Sequence, residues 1–331
     1  MIITRTPFRI SFFGGGTDYP GWFRQYGGAV LATTIDKYCY ITCRHLPPFF
    51  SHKHRIVYSS IENVRSNDEI QHPAVRAVLN WMEVEEGLEI HHDGDLPARS
   101  GLGSSSSFTV GLLHALQGLK GQMAYKEGLA KEAIHVEQNV IGENVGSQDQ
   151  VSAAFGGFNR IDFQRNDSFD VSPLILPKRR KEALHSHLML FFTGFSRIAS
   201  EVAKSKIDNI VNREKELQHM LRMVDDGIAL LQDINQPIEA FGELLHSAWS
   251  YKRRLSDRVS TPQIDEIYAT AKSAGAIGGK ILGAGGGGFL LLFVRPQDQQ
   301  AVRQSLASLI HVPFNFEDSG SKVVLYQPNG F

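Results

Sequence analysis

Pro97-Ala98-Arg99-Ser100-Gly101-Leu102-Gly103-Ser104-Ser105-Ser106-Ser107 is the decisive stretch of this chain, because a Gly- and Ser-rich turn that opens an apolar helix is suited to holding an anion. With no Cβ atoms at Gly101 and Gly103, successive backbone N–H groups can close on phosphate oxygens. The helix expected from Ser104 to Leu119 adds the partial positive charge of its N-terminus. The hydroxyls of Ser104 to Ser107 add oxygens for phosphate or for a metal ion. Neither common phosphate fingerprint is present. No Gly-Lys-Ser/Thr follows, as a Walker loop requires, and Gly101-Leu102-Gly103 lacks the third glycine of a dinucleotide site. From these residues alone, a purely structural helix cap is the alternative reading.

Two more segments change that balance. Near the N-terminus runs Pro7-Phe8-Arg9-Ile10-Ser11-Phe12-Phe13-Gly14-Gly15-Gly16-Thr17-Asp18-Tyr19, and near the C-terminus Gly278-Gly279-Lys280-Ile281-Leu282-Gly283-Ala284-Gly285-Gly286-Gly287-Gly288-Phe289. In this order the three segments resemble the signature of the GHMP small-molecule kinases, the family of galactokinase, homoserine kinase, mevalonate kinase and phosphomevalonate kinase. The match runs from end to end of the chain. Within the family, the first forty residues, the Gly-Leu-Gly followed by four serines, and Gly142-Glu143-Asn144-Val145-Gly146-Ser147-Gln148-Asp149-Gln150 are similar to the bacterial D-glycero-D-manno-heptose 7-phosphate kinases. The resemblance implies an α+β fold of two lobes: an N-terminal α/β lobe with a left-handed βαβ crossover, a C-terminal ferredoxin-like lobe, and the active site in the cleft between them. It also implies ATP and Mg²⁺ as cofactors and a small-molecule sugar phosphate as acceptor, phosphorylated at its anomeric hydroxyl.

Composition agrees with such a protein. At 331 residues the chain suits two packed lobes, and the break at Pro173, Pro177 and Lys178-Arg179-Arg180-Lys181 suggests a boundary that gives segments 1–180 and 181–331. Hydrophobic residues at 42%, charged residues at 21% and a net charge of −1 describe a soluble globular protein with no polyanion-binding surface, so nucleic acid is not an expected partner. The longest strongly apolar run, Phe289 to Val294, is far short of the roughly 20 residues of a membrane span, and the N-terminus carries no signal-peptide pattern. A cytoplasmic protein, monomeric or homodimeric, is expected. The two cysteines, Cys39 and Cys43, fall on one face of an expected strand roughly 13 Å apart, too far for a disulfide.

β-Branched and aromatic residues predict strands at Ile2 to Phe13, Ala29 to Cys43, Leu88 to His92, Leu188 to Phe192, Phe289 to Val294 and Lys322 to Tyr326. Helices are predicted at Ser104 to Leu119 and at Lys126 to Ile141, the latter with Leu129, Ala133, Val136 and Val140 on one face. Further helices are predicted over 199–232 with interruption, Ile238 to Leu255, Pro262 to Ala274 and Gln297 to Leu309. His52-Lys53-His54-Arg55 and Lys178-Arg179-Arg180-Lys181 read as exposed loops.

Phosphoryl transfer needs positioned phosphates, a divalent cation and a group that receives the acceptor's proton. The resemblance implies Asp149 as that group, with Arg9 beside it. It implies Pro97, Arg99, Ser100, Gly101, Leu102, Gly103, Ser104, Ser105 and Ser106 as the ATP loop, and Ser105 and Glu137 as the Mg²⁺ contacts. Toward the acceptor it implies Gly15, Gly16, Thr17, Asp18 and Asp149, with Gly285, Gly286 and Gly287 packed close by. A phosphate already on the acceptor needs a basic partner, for which Arg197, Lys252 and Lys37 are the candidates. Gly15-Gly16 stands where galactokinase-like relatives carry Glu-His, which implies more space at the acceptor. The plainer alternatives are a helix N-cap for Asp149, a pairing helix carboxylate for Glu137 and a turn residue for Asp18. Two other functions stay open: a fucose- or galactose-type kinase, and a catalytically silent sensor on the same fold.

Overall fold

The computed structural model describes residues 1–98, 100–194, 204–205 and 209–328; Arg99 and Arg197 lie outside them. The first sheet is built in chain order from β1 (Ile2–Phe13), β2 (Gly28–His45), β3 (His54–Val57), β4 (Ile61–Val64), β5 (Leu88–Gly94), β6 (Phe158–Phe163) and β7 (Phe169–Pro173). The second holds β8 (Leu188–Phe192), β9 (Ala276–Ile281), β10 (Phe289–Val294) and β11 (Ile310–His311), in the antiparallel order β11-β8-β10-β9. β12 (Phe316–Glu317) and β13 (Lys322–Tyr326) then return to the first sheet, where β12 pairs with β2 and β13 with β1. The chain beyond residue 181 therefore supplies an edge of the first sheet as well as the whole of the second. The long β1–β2 ladder places Ile2 opposite Cys43 and Phe13 opposite Leu31.

Helix Ser104–Leu119 lies on β1 and β2, and its approach depends on Gly111: a Cβ there would stand 2.9 Å from Thr6 Oγ1. Thr4 Oγ1 uses the closeness to donate to the Gly111 carbonyl at 2.9 Å. An aromatic column joins the two sheets. Phe12 and Phe13 on β1 contact Phe241 at ring-centroid distances of 5.5 and 5.1 Å, and Phe241 contacts Phe293 on β10 at 6.2 Å. All four rings are buried, so the end of β1 is held from both sides immediately before the turn Gly14–Thr17.

Most predicted elements are present with small changes of length, and the departures have physical causes. The helix expected over Lys126 to Ile141 is α-helical only at Lys126–His135 and widens to a π-helical turn at Val136–Ile141. The wider turn shifts the phase of the apolar stripe: Leu129, Ala133 and Val136 are buried, whereas Val140 is 43% exposed. Lys178-Arg179-Arg180-Lys181 is not an exposed loop but opens the helix Lys178–Ser186. Arg180 is buried, and its guanidinium donates to the carbonyls of Leu230, Leu231 and Gln236, capping the end of helix Glu214–Gln232. His54 is likewise a buried residue of β3, accepting from the Leu88 N–H at 3.2 Å. Cys39 and Cys43 are buried free thiols on β2. Among the described residues no helix is long and apolar enough to cross a membrane.

Candidate active site

The three glycine-containing segments converge on one cleft. The loop before helix Ser104–Leu119 lies backbone to backbone against the C-terminal glycine segment. A Cβ on Gly101 would stand 2.6 Å from the Leu282 carbonyl oxygen, and one on Gly283 would stand 2.5 Å from Gly101 Cα. The Phe289 N–H donates to the Ser100 carbonyl at 3.1 Å, so β10 anchors the loop directly. Gly103 ends the turn in the left-handed conformation (φ 77°), and no side chain caps the helix that follows. The N–H groups of that first turn, with Ser104, Ser105 and Ser106 on the cleft wall, form an electropositive rim.

Against this rim sits an ion pair. Arg9 Nε and Nη2 bind Asp149 Oδ1 and Oδ2 at 2.7 and 2.8 Å, while Arg9 Nη1 donates to the Gly101 carbonyl at 2.7 Å. The Arg9 side chain is 4% exposed and that of Asp149 is 18%, so the carboxylate is the more accessible partner. The geometry is bidentate and stiff. A Cβ on Gly103 would lie 3.4 Å from Asp149 Cγ, which shows how close the loop comes to the pair. Asp149 belongs to the first turn of helix Gln148–Phe155, yet its side chain caps nothing there; it faces the cleft.

Asp18 closes another side. Its carboxylate accepts from the Gly16 N–H at 2.8 Å and from Gln148 Nε2 at 3.0 Å, and it is 2% exposed. Thr17, expected beside it at the acceptor, is absent from the cleft wall. Its hydroxyl instead donates to the Gly14 and Ala29 carbonyls at 2.9 and 3.0 Å, locking the turn against β2. Gly15 and Gly16 both line the cleft, but only Gly15 opens it in the expected sense. A Cβ on Gly15 would face Gln148 and Ser11, whereas one on Gly16 would meet Leu217 at 3.0 Å.

Glu137 is fully buried in the π-helical turn. Burial pushes its carboxyl up to about 7, an effect that the neighbouring hydroxyls of Thr109 and Ser106 and the Gln150 amide only partly offset. Ser106 Oγ donates to Glu137 Oε2 at 2.8 Å, and Gln150 Nε2 donates to the same oxygen. Oε1 has no hydrogen-bond partner among the described residues. The serine paired with Glu137 is thus Ser106; Ser105, expected in that place, is exposed on the cleft wall.

Other expected residues are placed elsewhere. Lys37 pairs with Asp36 at 3.3 Å on β2 and is not part of the cleft wall. Gly285 and Gly286 pack on the turn at Val259, with the Gly286 N–H donating to its carbonyl at 2.9 Å; within the run 283–288, Gly283 and Ala284 are the members that reach the cleft. Gly287 is absent from the cleft wall. Pro97 is exposed and Leu102 buried, and neither lines the cleft, although the Leu102 carbonyl accepts from the Arg9 N–H at 3.0 Å. Lys252 does line it, its ammonium held by the Ile281 and Gly283 carbonyls at 2.8 and 2.6 Å. Ser11, Gln148 and Lys280 are among the cleft residues not singled out from sequence, as are Tyr19, residues 143–146, Gly283 and Ala284. The signal for Ser11 was a lone hydroxyl in the apolar run Ile10 to Phe13, and for Lys280 a lone charge between glycines and an apolar strand.

A two-sheet α+β molecule whose glycine loop, uncapped helix and Arg–Asp pair share one cleft has the fold of the GHMP kinases, and the chain belongs to that family. Residues 69–157 match the GHMP kinases N terminal domain and residues 229–311 the GHMP kinases C terminal domain. The chain is 30% identical over 305 residues, 89% of its length and 90% of the relative's, to a D-glycero-alpha-D-manno-heptose 7-phosphate kinase of Campylobacter jejuni. It is 25% identical over 336 residues to a galactokinase of Thermococcus kodakarensis, covering 92% of each. Its fold superposes with a TM-score of 0.78 and 24% identity on the crystal structure of a D-glycero-D-manno-heptose 1-phosphate kinase from Bacteriodes thetaiotaomicron, covering 97% of this chain and 98% of that one.

Proposed function

We propose that the chain is an ATP-dependent sugar kinase that transfers the γ-phosphoryl group to the anomeric hydroxyl of D-glycero-D-manno-heptose 7-phosphate. The observation that carries this is the bidentate Arg9–Asp149 pair set against the Gly101–Ser106 loop, with the second carboxylate, Asp18, in the same cleft. The loop N–H groups and the helix N-terminus receive the nucleotide phosphates. Asp149 accepts the proton of the attacking hydroxyl, and Arg9 holds the carboxylate in one orientation while its charge lies beside the transferring group. Asp18, fixed by Gly16 and Gln148, orients sugar hydroxyls.

The donor set at Glu137 fits Mg²⁺: a buried carboxylate oxygen without a partner and a neighbouring hydroxyl, both hard oxygens. Glu137 with Ser106, and Ser105 on the rim, would hold the ion, which when bound neutralises phosphate charge. The acceptor follows the 30% identical Campylobacter relative, whose chain matches over 90% of its length. A coupled ADP-release assay over a panel of sugars and sugar phosphates tests the reading. Heptose 7-phosphate should give the highest kcat/KM, and equal values for galactose or fucose would overturn it.

A further inference from the structure

We propose that Ser11, left uncovered by the missing side chain at Gly15, and Lys280 form the subsite for the phosphate the acceptor already carries; this rests on the sugar-phosphate kinase reading above. Ser11 lines the cleft and is 5% exposed, and its Oγ has no hydrogen-bond partner among the described residues. A buried hydroxyl left in that state is destabilising, and a bound group in the cleft that completes the bond removes the penalty. Lys280 lies on the same wall and is 4% exposed. Its ammonium donates to the carbonyls of Ser11 and Phe12 at 3.0 and 2.8 Å. These two bonds fix the ammonium beside the Ser11 backbone. A hydroxyl donor next to a held ammonium is the pairing that recognises a phosphate dianion.

Gly15 is what makes Ser11 reachable. A Cβ at that position would stand 3.8 Å from Ser11 Oγ and 3.7 Å from Gln148 Nε2, so a longer side chain would come between Ser11 and the cleft. Lys252 also reaches the cleft, tied to the carbonyls of Ile281 and Gly283. The residues that read the substrate's phosphate therefore come from the end of β1 and the start of the C-terminal glycine segment, where the two sheets meet.

The test is kcat/KM for heptose 7-phosphate and for unphosphorylated heptose, measured on the wild type and on Ser11→Ala, Lys280→Gln and Lys280→Arg. Ser11→Ala should lower the ratio of the two values about 10-fold or more, the worth of one hydrogen bond to a charged group, with the larger loss falling on heptose 7-phosphate. Lys280→Gln should lower the ratio further, and Lys280→Arg should recover part of it. Because Lys280 is buried and its replacements can fail to fold, Ser11→Ala, which removes a single oxygen, carries the test by itself. A wild-type preference for the phosphorylated sugar that Ser11→Ala leaves intact, or an equal loss on both sugars, overturns the subsite alone. A wild type that shows no preference overturns the sugar-phosphate reading and the subsite with it, and that outcome is visible before any variant is made.

Discussion

Glu137 gives the account a quantitative test that does not involve turnover. Its carboxyl sits fully buried and is pushed from an ordinary 4.5 up to about 7. The folded protein thus binds the proton more tightly than the unfolded chain does, and stability falls as pH rises from about 4.5 through about 7, then levels off. The difference between those two values corresponds to about 3 kcal/mol of penalty for carrying a charge in that site. Glu137→Gln is neutral at every pH and keeps an acceptor for Ser106 and Gln150, so it should not feel this slope. Its amide leaves a constant offset, because the Oε1 position has no partner, but a constant offset cancels when two pH values are compared. In metal-free buffer, urea unfolding at pH 4 and pH 8 should show the stability of Glu137→Gln relative to wild type rising by about 2–3 kcal/mol between the two. A relative stability that stays constant, or moves toward wild type, would show that Glu137 is not a desolvated carboxyl and would remove the reasoning that leaves its second oxygen for a cation.

Other expectations follow from the same geometry. Ser106→Ala should raise the Mg²⁺ concentration for half-maximal rate, as removal of a metal-site oxygen does, and by more than Ser105→Ala, since only Ser106 touches Glu137; the reverse order in a Mg²⁺ titration at fixed ATP would return the role to Ser105. Arg180→Met should destabilise the protein by about 2–4 kcal/mol, because it strands the carbonyls of Leu230, Leu231 and Gln236 at a helix end; denaturation within about 0.5 kcal/mol of wild type would refute the capping role.

Much of the fold was legible because its long elements carry strong periodicity. Ile2–Phe13, Ser104–Leu119 and Phe289–Val294 appear with the bounds expected of them. What the pattern concealed was set by partners far away in the chain. Arg180 reads as surface charge until the end of a helix fifty residues later presents its carbonyls to it. The hairpin of β3 and β4 is too polar to announce itself, and its pairing with β5 is decided by the sheet. At the site, the residues that meet through backbone and short side chains, Gly101, Gly103, Arg9 and Asp149, could be placed from their motifs. The pairing of Glu137 with Ser106 rather than Ser105 could not, because it depends on the π-helical turn that rotates Glu137 inward. A glycine run marks close packing without saying against what, and for Gly285 and Gly286 the neighbour is Val259.

The central claim is that the Arg9–Asp149 pair at the glycine loop is a phosphoryl-transfer centre, and Asp149→Asn measures it most directly. The asparagine keeps the size of the side chain and an acceptor for Arg9 but cannot take up a proton as a carboxylate does. Phosphoryl transfer to heptose 7-phosphate and nucleotide affinity should be measured on the same folded preparation at neutral pH. The account predicts a kcat lower by about 10²–10⁴-fold, the contribution of a positioned base, with ATP bound nearly as tightly as by wild type. A variant that retains more than about half of the wild-type kcat would contradict it, since a positioned base cannot be removed at so small a loss.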